Sequence, residues 1–298
     1  MADLDNPESP QLDMPCRNAQ GVKEHLRSCL LGIMLVCSTL VARDARAQTP
    51  ALPDGAQSHW VVGQPHEIVA YLVFDPATVR DRLPETLRFI TVKELATGSV
   101  RWATDHLAEH PAHAGWGISF FEVVRTGTFT IDGRAPNWPE GGAAASWCAR
   151  VAPSLPTADL GPGQPFLTLE FWMPDSSYVK YMRGKGYPAS YGQVKLVQPT
   201  EGMWRGSVDV PGLSLAAECR PVGPVTGGGQ AAGMQAFYPP RSSTVKGAVR
   251  VAFAGHREQE CGDDSSWTLR GTHPLARGVL LRPSTYQFGY NLKGGAYP

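Results

Sequence analysis

Three cationic side chains precede a Tyr-Pro pair in the second half of the chain and could serve carbonyl chemistry. Lys180, Arg183 and Lys185 lie in one short segment, and Tyr187 and Ser190 follow it. A nearby cation lowers the pKa of a lysine, and a neutral lysine can add to a carbonyl carbon. The two hydroxyls could hydrogen-bond the carbonyl oxygen. Alternatively, Lys180 and Lys185 occupy a solvated helix end and loop, where lysines are common.

A carboxylate inside an apolar run is the second candidate for chemistry. Glu122 stands in the run Phe-Phe-Glu-Val-Val at 120–124. Burying a charged group is costly unless the group is paired or faces a cavity. A carboxylate that faces a cavity can act as an acid, a base or a positioning group. Strand alternation leaves a second interpretation open, in which Phe121 and Val123 share one face and Glu122 points outward.

Three histidines have a spacing that could place two of them on one helix face as metal ligands. They are His106, His110 and His113, but Pro111 interrupts the helix and no ligand from another element is identifiable. A solvent-exposed polar face is the favoured interpretation, and we predict neither a metal nor a cofactor. A metal-dependent enzyme that uses these histidines is the weakest of three functional hypotheses.

The elements that must position these side chains are mostly short strands. An apolar strand at 66–74 precedes Asp75 and Pro76, which cap a short helix. Amphipathic helices are predicted at 100–110 and 176–183. Further strands are predicted at 117–124, 126–131, 144–151, 166–173, 194–198, 203–210, 214–220, 247–254 and 276–281. Such regular short strands indicate a mainly β (α+β) sandwich or barrel. The Gly-rich segment 221–234 is predicted to be a loop.

Three local patterns resemble the acetoacetate decarboxylase-like superfamily. Residues 186–196 read Gly-Tyr-Pro-Ala-Ser-Tyr-Gly-Gln-Val-Lys-Leu, which is similar to the active-site motif of that family. The order strand, Asp75-Pro76, short helix and Leu-Pro-Glu-Thr-Leu at 83–87 also occurs there, as does a strand with a glutamate at the place of Glu122. The resemblance covers most of residues 60–290. It implies a closed, cone-shaped antiparallel β-barrel with a few short helices.

The resemblance also implies which site residues are kept and which are replaced. The Schiff-base lysine of the family and its cationic neighbour fall on Ala189 and Ser190. Glu122 matches an active-site glutamate, Lys195 matches a lysine that is not the nucleophile, and His273 falls near a histidine-containing turn. Simple acetoacetate decarboxylation is therefore disfavoured.

Two further positions depart from the family pattern. The second glutamate of the family falls at about Ile131, with Asp132 beside it. Pro65 and His66 stand where an arginine is expected. These differences put the proton-transfer arrangement of the family in doubt for this chain.

The N-terminal segment has the features of a secretory signal peptide. Lys23 and Arg27 precede a short apolar run, and Ala45-Arg46-Ala47 offers a small-residue cleavage site. We therefore expect a signal peptide at 1–47, cleavage after Ala47, and a secreted or periplasmic protein with one domain at 48–298. Because the run is short, no membrane span is expected after cleavage.

Charge and cysteine content limit the partners. The chain has 27 basic and 27 acidic residues, a balance that argues against nucleic acid as the main partner. Beyond the leader, Cys148, Cys219 and Cys261 permit one disulfide and leave one thiol, although all three could instead be small buried residues. Homo-oligomers are common in the family that the chain resembles.

Two further functional hypotheses follow. The first is a lyase-type enzyme that acts on a small oxo acid or another carbonyl compound. In it, Glu122 handles protons, Tyr187 and Ser190 bind the carbonyl oxygen, and Lys185 is the candidate for a displaced amine. Arg183, Lys195 and His273 are further candidates for substrate binding. The second hypothesis is a non-catalytic protein that binds an apolar or carbonyl small molecule in the barrel cavity.

Overall fold

The structure is a computed structural model. It describes residues 58–154, 164–198, 202–227, 233–237 and 248–297. The predicted signal peptide at 1–47 lies outside the described residues. In the part that is described, no helix has the length and apolar character needed to cross a membrane.

Short strands dominate the described chain, which confirms the mainly β prediction. The strands are β1 Ser58–Gly63, β2 His66–Phe74, β3 Leu87–Phe89, β4 Gly117–Arg125, β5 Thr128–Ile131, β6 Ala144–Pro153, β7 Gln164–Met173, β8 Ala189–Tyr191, β9 Gln193–Val197, β10 Trp204–Val210, β11 Leu213–Cys219, β12 Pro221–Gly227, β13 Gly233–Phe237, β14 Ala248–Ala254, β15 Arg257–Cys261, β16 Ser266–Gly271, β17 Val279–Phe288 and β18 Asn291–Tyr297. The α-helices are α1 Val92–Thr97, α2 Arg101–Glu109 and α3 Ser176–Gly184, and short 3-10 helices occupy Pro76–Arg82, Pro111–Gly115 and Pro274–Arg277.

Local sequence signals explain several of these boundaries. Asp75 accepts a hydrogen bond from the Ala77 backbone N–H and caps the first 3-10 helix, with Pro76 at its first position, as predicted. The helix predicted at 100–110 is α2. The prediction of a loop at 221–234 was wrong in its first half. There β12 pairs with β15, although β12 contains two prolines and two glycines.

The large sheet follows the order β12-β15-β17-β2-β4-β6-β7-β13-β14-β18-β1-β5, with β3 and β8 as side branches. Most neighbours are antiparallel, as predicted, but β7 pairs in parallel with both β13 and β8. Among the described residues, this path ends at β12 and β5, which do not pair with each other. The predicted barrel closure is therefore not confirmed.

A second sheet, in the order β16-β11-β10-β9, packs against one face of the large sheet. Gly206 on β10 permits this contact, because a Cβ there would lie 2.8 Å from the Ile68 side chain. A disulfide between Cys219 and Cys261 links β11 to β15, and Cys148 remains a buried free thiol. The pattern of one disulfide and one thiol is the first of the two cysteine interpretations drawn from the sequence.

The two faces of the large sheet differ, and β2 defines them. Ile68, Ala70 and Leu72 lie on the face that packs against the second sheet, called face B here. Glu67 and Tyr71 alternate with them and lie on the opposite face, called face A. The same alternation runs through β4, β6 and β7, so that the side chains of each strand divide between the two faces.

Candidate functional site

Two carboxyl groups lie close together on face A. Glu67 on β2 is paired in register with Val124, and Glu122 on β4 is paired with Val69, so the two glutamates are diagonal neighbours on adjacent strands. The Ser146 hydroxyl donates to Glu122 Oε1 at 2.5 Å. The Tyr290 hydroxyl donates to Glu67 Oε2 at 2.8 Å. Glu122 thus faces away from Phe121 and Val123, as alternation required, and it is half-buried, whereas Glu67 is buried.

The pKa values of this carboxyl pair are raised. Burial raises the pKa of Glu67 well above its usual range, and the Glu122 charge raises it further, against the hydrogen bond from Tyr290. Burial also raises the pKa of Glu122, while hydrogen bonds from Ser146 and from Glu67 lower it. The directions of these shifts favour the proton on Glu67 over the proton on Glu122. Pairs of this kind, with one acid and one base, are suited to proton transfer.

The groups around the pair are protonated donors. Burial and the Glu122 charge raise the pKa of the Cys148 thiol to about 12, so this cysteine is not a thiolate nucleophile. Burial and the charges of Glu258, Glu67 and Glu122 raise the pKa of Tyr71. Hydroxyl and thiol groups that stay protonated can donate hydrogen bonds to a ligand oxygen.

A row of paired residues crosses face A from the carboxyl pair to Ala189. Glu122 pairs with Ser146, Ser146 with Phe171, and Phe171 with Ala189. Three strand spacings separate the ends of the row, which is roughly 14 Å. Ala189 is 1% exposed and packs in a cluster with Phe171 and Tyr187. Ala189, which stands where the family that the chain resembles has its Schiff-base lysine, is therefore buried among apolar side chains.

Tyr187 serves packing in this structure. Its hydroxyl accepts a hydrogen bond from Trp60 Nε1 at 2.6 Å, and its side chain is buried. The turn before it ends α3 in a Schellman arrangement, in which the Tyr187 N–H bonds Met182 O and the Gly186 N–H bonds Arg183 O. Gly186 has φ +91°, a conformation that favours glycine. In the structure the Tyr187 hydroxyl bonds Trp60, and its predicted contact with a substrate stays a prediction.

Lys185 also lies apart from the carboxyl pair. Its Nζ is 3.0 Å from Asp132 Oδ2, and it stands beside the Tyr181 ring. The hydrogen bond and charge of Asp132 raise the pKa of Lys185, whereas a Schiff-base lysine needs a lowered pKa. This environment does not favour Lys185 as a displaced amine, and that hypothesis stays a prediction. Lys180 and Lys195 are exposed, with Lys195 on β9 between two inward-facing residues.

Three other predicted residues come together on the face B side of β7 and β8. Arg183 donates to the Ala189 carbonyl at 2.6 Å and to Ser190 Oγ at 3.1 Å, beside an open cavity of about 360 Å³. His273 bonds Glu170, which lines this cavity, at 2.9 Å. Ser190 and Glu122 therefore lie on opposite sides of the sheet and do not form one site.

Two site residues, Glu67 and Glu170, were not singled out from the sequence. Each stands in an apolar strand, His-Glu-Ile-Val-Ala at 66–70 and Leu-Thr-Leu-Glu-Phe at 167–171. This is the signal that identified Glu122, and it could have identified them as well. Burial would raise the pKa of Glu170, but His273 and Arg82 together lower it.

The three histidines form a stack and do not complete a metal site in the described chain. His106 Nε2 lies 3.1 Å from His113 Nδ1. The centroids of the three histidine rings lie 4.9–5.2 Å apart, and the His113 ring stacks on Trp116. Among the described residues, no group of three or more His, Cys, Asp or Glu side chains is arranged to hold a metal ion.

Comparison with known proteins finds structural similarity only. No family model matches the chain, and no curated protein matches its sequence. The chain is similar to acetoacetate decarboxylase from Legionella pneumophila, with 11% identity, a TM-score of 0.48, and coverage of 88% of this chain and 95% of that one. It is also similar to an acetoacetate decarboxylase-like enzyme from Sphingomonas wittichii RW1, with 15% identity, a TM-score of 0.43, and coverage of 84% and 98%.

A third similar structure is the enduracididine biosynthesis enzyme MppR in complex with pyruvate. Its identity to this chain is 13%, its TM-score is 0.46, and the match covers 84% of this chain and 92% of that one. Two of these three structures are acetoacetate decarboxylase or an acetoacetate decarboxylase-like enzyme, the kind of protein that the motif at 186–196 resembles.

Proposed function

We propose that this protein is a small-molecule enzyme that moves a proton at a carbon next to a carbonyl group, with Glu122 as the base. The observation that carries the proposal is the pair of neighbouring carboxyls on face A, in which burial raises the pKa of Glu67 and of Glu122 and the Ser146 hydroxyl donates to Glu122. A carboxylate with a raised pKa is a stronger base than one with the ordinary value.

The substrate would lie on face A, along the row of residues from Glu122 to Ala189. The substrate carbon–hydrogen bond breaks, its proton goes to Glu122, and its electron pair remains on the substrate as an enolate. Ser146 already donates to Glu122 and fixes the orientation of the carboxylate. Loss of a neighbouring group from the enolate would give the lyase-type chemistry that the sequence suggested. No lysine adduct takes part.

The negative charge near the carboxyl pair would favour some carbonyl substrates over others. Glu258 joins Glu67 and Glu122 in raising the pKa of Tyr71, so all three carboxyls act on one region. Among the described residues, the groups that shift the pKa values of the pair are carboxyls and hydroxyls, with no cation. An anionic substrate would be repelled there. We therefore place a neutral carbonyl compound ahead of an oxo acid as the substrate class.

The remaining predictions belong to the same proposal. An exported, single-domain protein is supported by the charge and cleavage order of residues 1–47 and by the Cys219–Cys261 disulfide, a bond typical of oxidising compartments. A closed barrel would surround face A and shield the carboxyl pair from bulk water. A homo-oligomer rests on the family resemblance alone.

Hydrogen exchange tests the proposed step without knowledge of the natural product. The protein is incubated in heavy water with a panel of neutral ketones and aldehydes and with matching oxo acids, and loss of the α-proton signal is followed by NMR. We expect exchange of neutral compounds, and a rate about 100-fold or more lower in Glu122→Gln. The exposed-site variant Glu94→Gln is the control and should exchange at the rate of the unmodified protein. Equal exchange in Glu122→Gln would refute Glu122 as the base.

A binding protein is the second candidate, favoured by one observation. Ala189 and the side chains around it give the far end of the row an apolar lining with no reactive group. A ligand could rest there without reaction. Saturable binding of a panel compound to face A, with no exchange above that of Glu122→Gln, would establish this alternative.

A further inference from the structure

The geometry points to a second ligand site, for a small carboxylate, in the open cavity beside the end of α3. The cavity has a volume of about 360 Å³ and is lined by Arg82, Arg183, Ser190 and Glu170, among others. This volume is at the low end of the range for pockets that hold small molecules. Ala189, the end of the row on face A, also lines the cavity, but the inference does not depend on the proposed reaction.

Arg183 is oriented but not neutralised. Its Nε donates to the Ala189 carbonyl at 2.6 Å, and its Nη2 donates to Ser190 Oγ at 3.1 Å. Both partners are uncharged, and across the described residues no carboxylate forms an ion pair with Arg183. The guanidinium therefore stands at the cavity with its full charge and with N–H groups still available.

The other charges at the cavity offset one another. Glu170 forms an ion pair with Arg82 and accepts a hydrogen bond from His273 Nε2 at 2.9 Å. His273 Nδ1 accepts from the Leu275 N–H at 3.1 Å, so the ring carries its proton on Nε2 and serves as a donor to Glu170. With Arg82 balanced by Glu170, the single uncompensated charge is that of Arg183.

The donors at the cavity suit a carboxylate. Ser190 Oγ already accepts from Arg183, so its own proton can be donated to a ligand. A planar guanidinium matches the two oxygens of a carboxylate, and one uncompensated positive charge matches a monoanion better than a phosphate dianion. We therefore expect a small carboxylate, held by Arg183 and Ser190.

The cavity and the carboxyl pair lie on opposite sides of the same strands. Glu170 pairs with Trp147 and Ser190 pairs with Trp172, and both tryptophans pack on face B. Phe171 and Ala189, the next residues on each strand, lie on face A. The side chains of Glu170 and Ser190 at the cavity thus lie on the face opposite Glu122.

Binding of simple carboxylates to the full chain tests this inference. Acetate, glycolate and succinate are titrated at constant ionic strength, with chloride as the reference anion, and binding is followed by calorimetry and NMR. We expect saturable carboxylate binding that is about 10- to 100-fold weaker in Arg183→Gln, the loss typical of a charged hydrogen-bonding group. Ser190→Ala should weaken it less, and the unfolding midpoint of each variant checks that it folds.

Two control variants separate this site from others. Arg205→Gln removes an exposed arginine that pairs with Glu218 on the second sheet, and it should bind carboxylates as the unmodified protein does. Glu122→Gln should also bind normally. Binding that survives Arg183→Gln and Ser190→Ala, or that Glu122→Gln alone removes, would overturn the inference. So would the absence of saturable binding for every carboxylate tested.

Discussion

Glu67→Gln is expected to change how the stability of the protein depends on pH. The Glu67 side chain is 3% exposed and its pKa is raised, chiefly by burial and by the charge of Glu122. The folded protein therefore keeps this proton at pH values where the unfolded chain, with a glutamate pKa of about 4.3, has lost it. Glutamine preserves the shape and an N–H donor toward Glu122, but it cannot titrate.

The size of the effect follows from proton linkage. Because the folded state binds one more proton, the stability from Glu67 is fully present below about pH 4.3 and is lost as the pH rises toward the folded pKa. The loss is about 1.4 kcal/mol per pH unit over the pH range in which the unfolded glutamate is ionised and folded Glu67 keeps its proton. Relative to the unmodified protein, Glu67→Gln should therefore become more stable over that range.

Urea unfolding at pH 5, 6 and 7, followed by tryptophan fluorescence, measures this difference. Histidines with lowered pKa values, such as His66 and His106, have an opposite pH dependence, but they are common to both proteins and cancel in the difference. Glu94→Gln is the matched control. Hydrogen bonds and the Arg88 charge lower the pKa of Glu94 in spite of partial burial, so this variant should give a constant offset above pH 5.5. Parallel stability curves for Glu67→Gln and the unmodified protein would refute the reasoning.

Three other outcomes are expected. Replacing Cys219 and Cys261 by serine should lower the free energy of unfolding by about 4 kcal/mol in urea titration, because the disulfide closes a long loop across a separation of 42 residues; a loss under 1 kcal/mol would contradict this. Borohydride trapping with the carbonyl panel should leave Lys185 unmodified in peptide mapping, since Asp132 raises its pKa, and a reduced adduct there would restore the Schiff-base hypothesis. Gly186→Ala should lower the free energy of unfolding by about 1–2 kcal/mol in thermal unfolding, because Gly186 has φ +91°. Gly184→Ala is the control and should lower it little, because a Cβ there meets open space. Equal losses for the two variants would count against the Schellman turn.

The sequence was sufficient where a signal is local. Alternation and turn residues located most of the strands, and Asp75 and Pro76 identified the first 3-10 helix. Glu122 was identified because a charged residue interrupts an apolar strand. Its partner Glu67 needed the pairing of β2 with β4, and that register is a tertiary property that the sequence signals could not show.

The sequence was insufficient where a distant residue decides the role of a side chain. Lys185 is directed by Asp132, which lies on the turn after β5, and the Tyr187 hydroxyl is occupied by Trp60 of β1. Neither contact has a local pattern. Ser190 and Glu122 were combined in one hypothesis because both stand at site positions of the family that the chain resembles, but strand alternation places them on opposite faces of the sheet.

The shared proton of the carboxyl pair is the central claim, and NMR of ¹³C-carboxyl-labelled glutamate observes it directly. Carboxyl carbons shift on ionisation, and Glu67→Gln and Glu122→Gln assign the two signals. We expect the Glu67 signal to remain in its protonated position at pH 7, with Glu122 ionising at lower pH than Glu67. Two signals that both titrate near the ordinary glutamate pKa of about 4.3 would contradict the account.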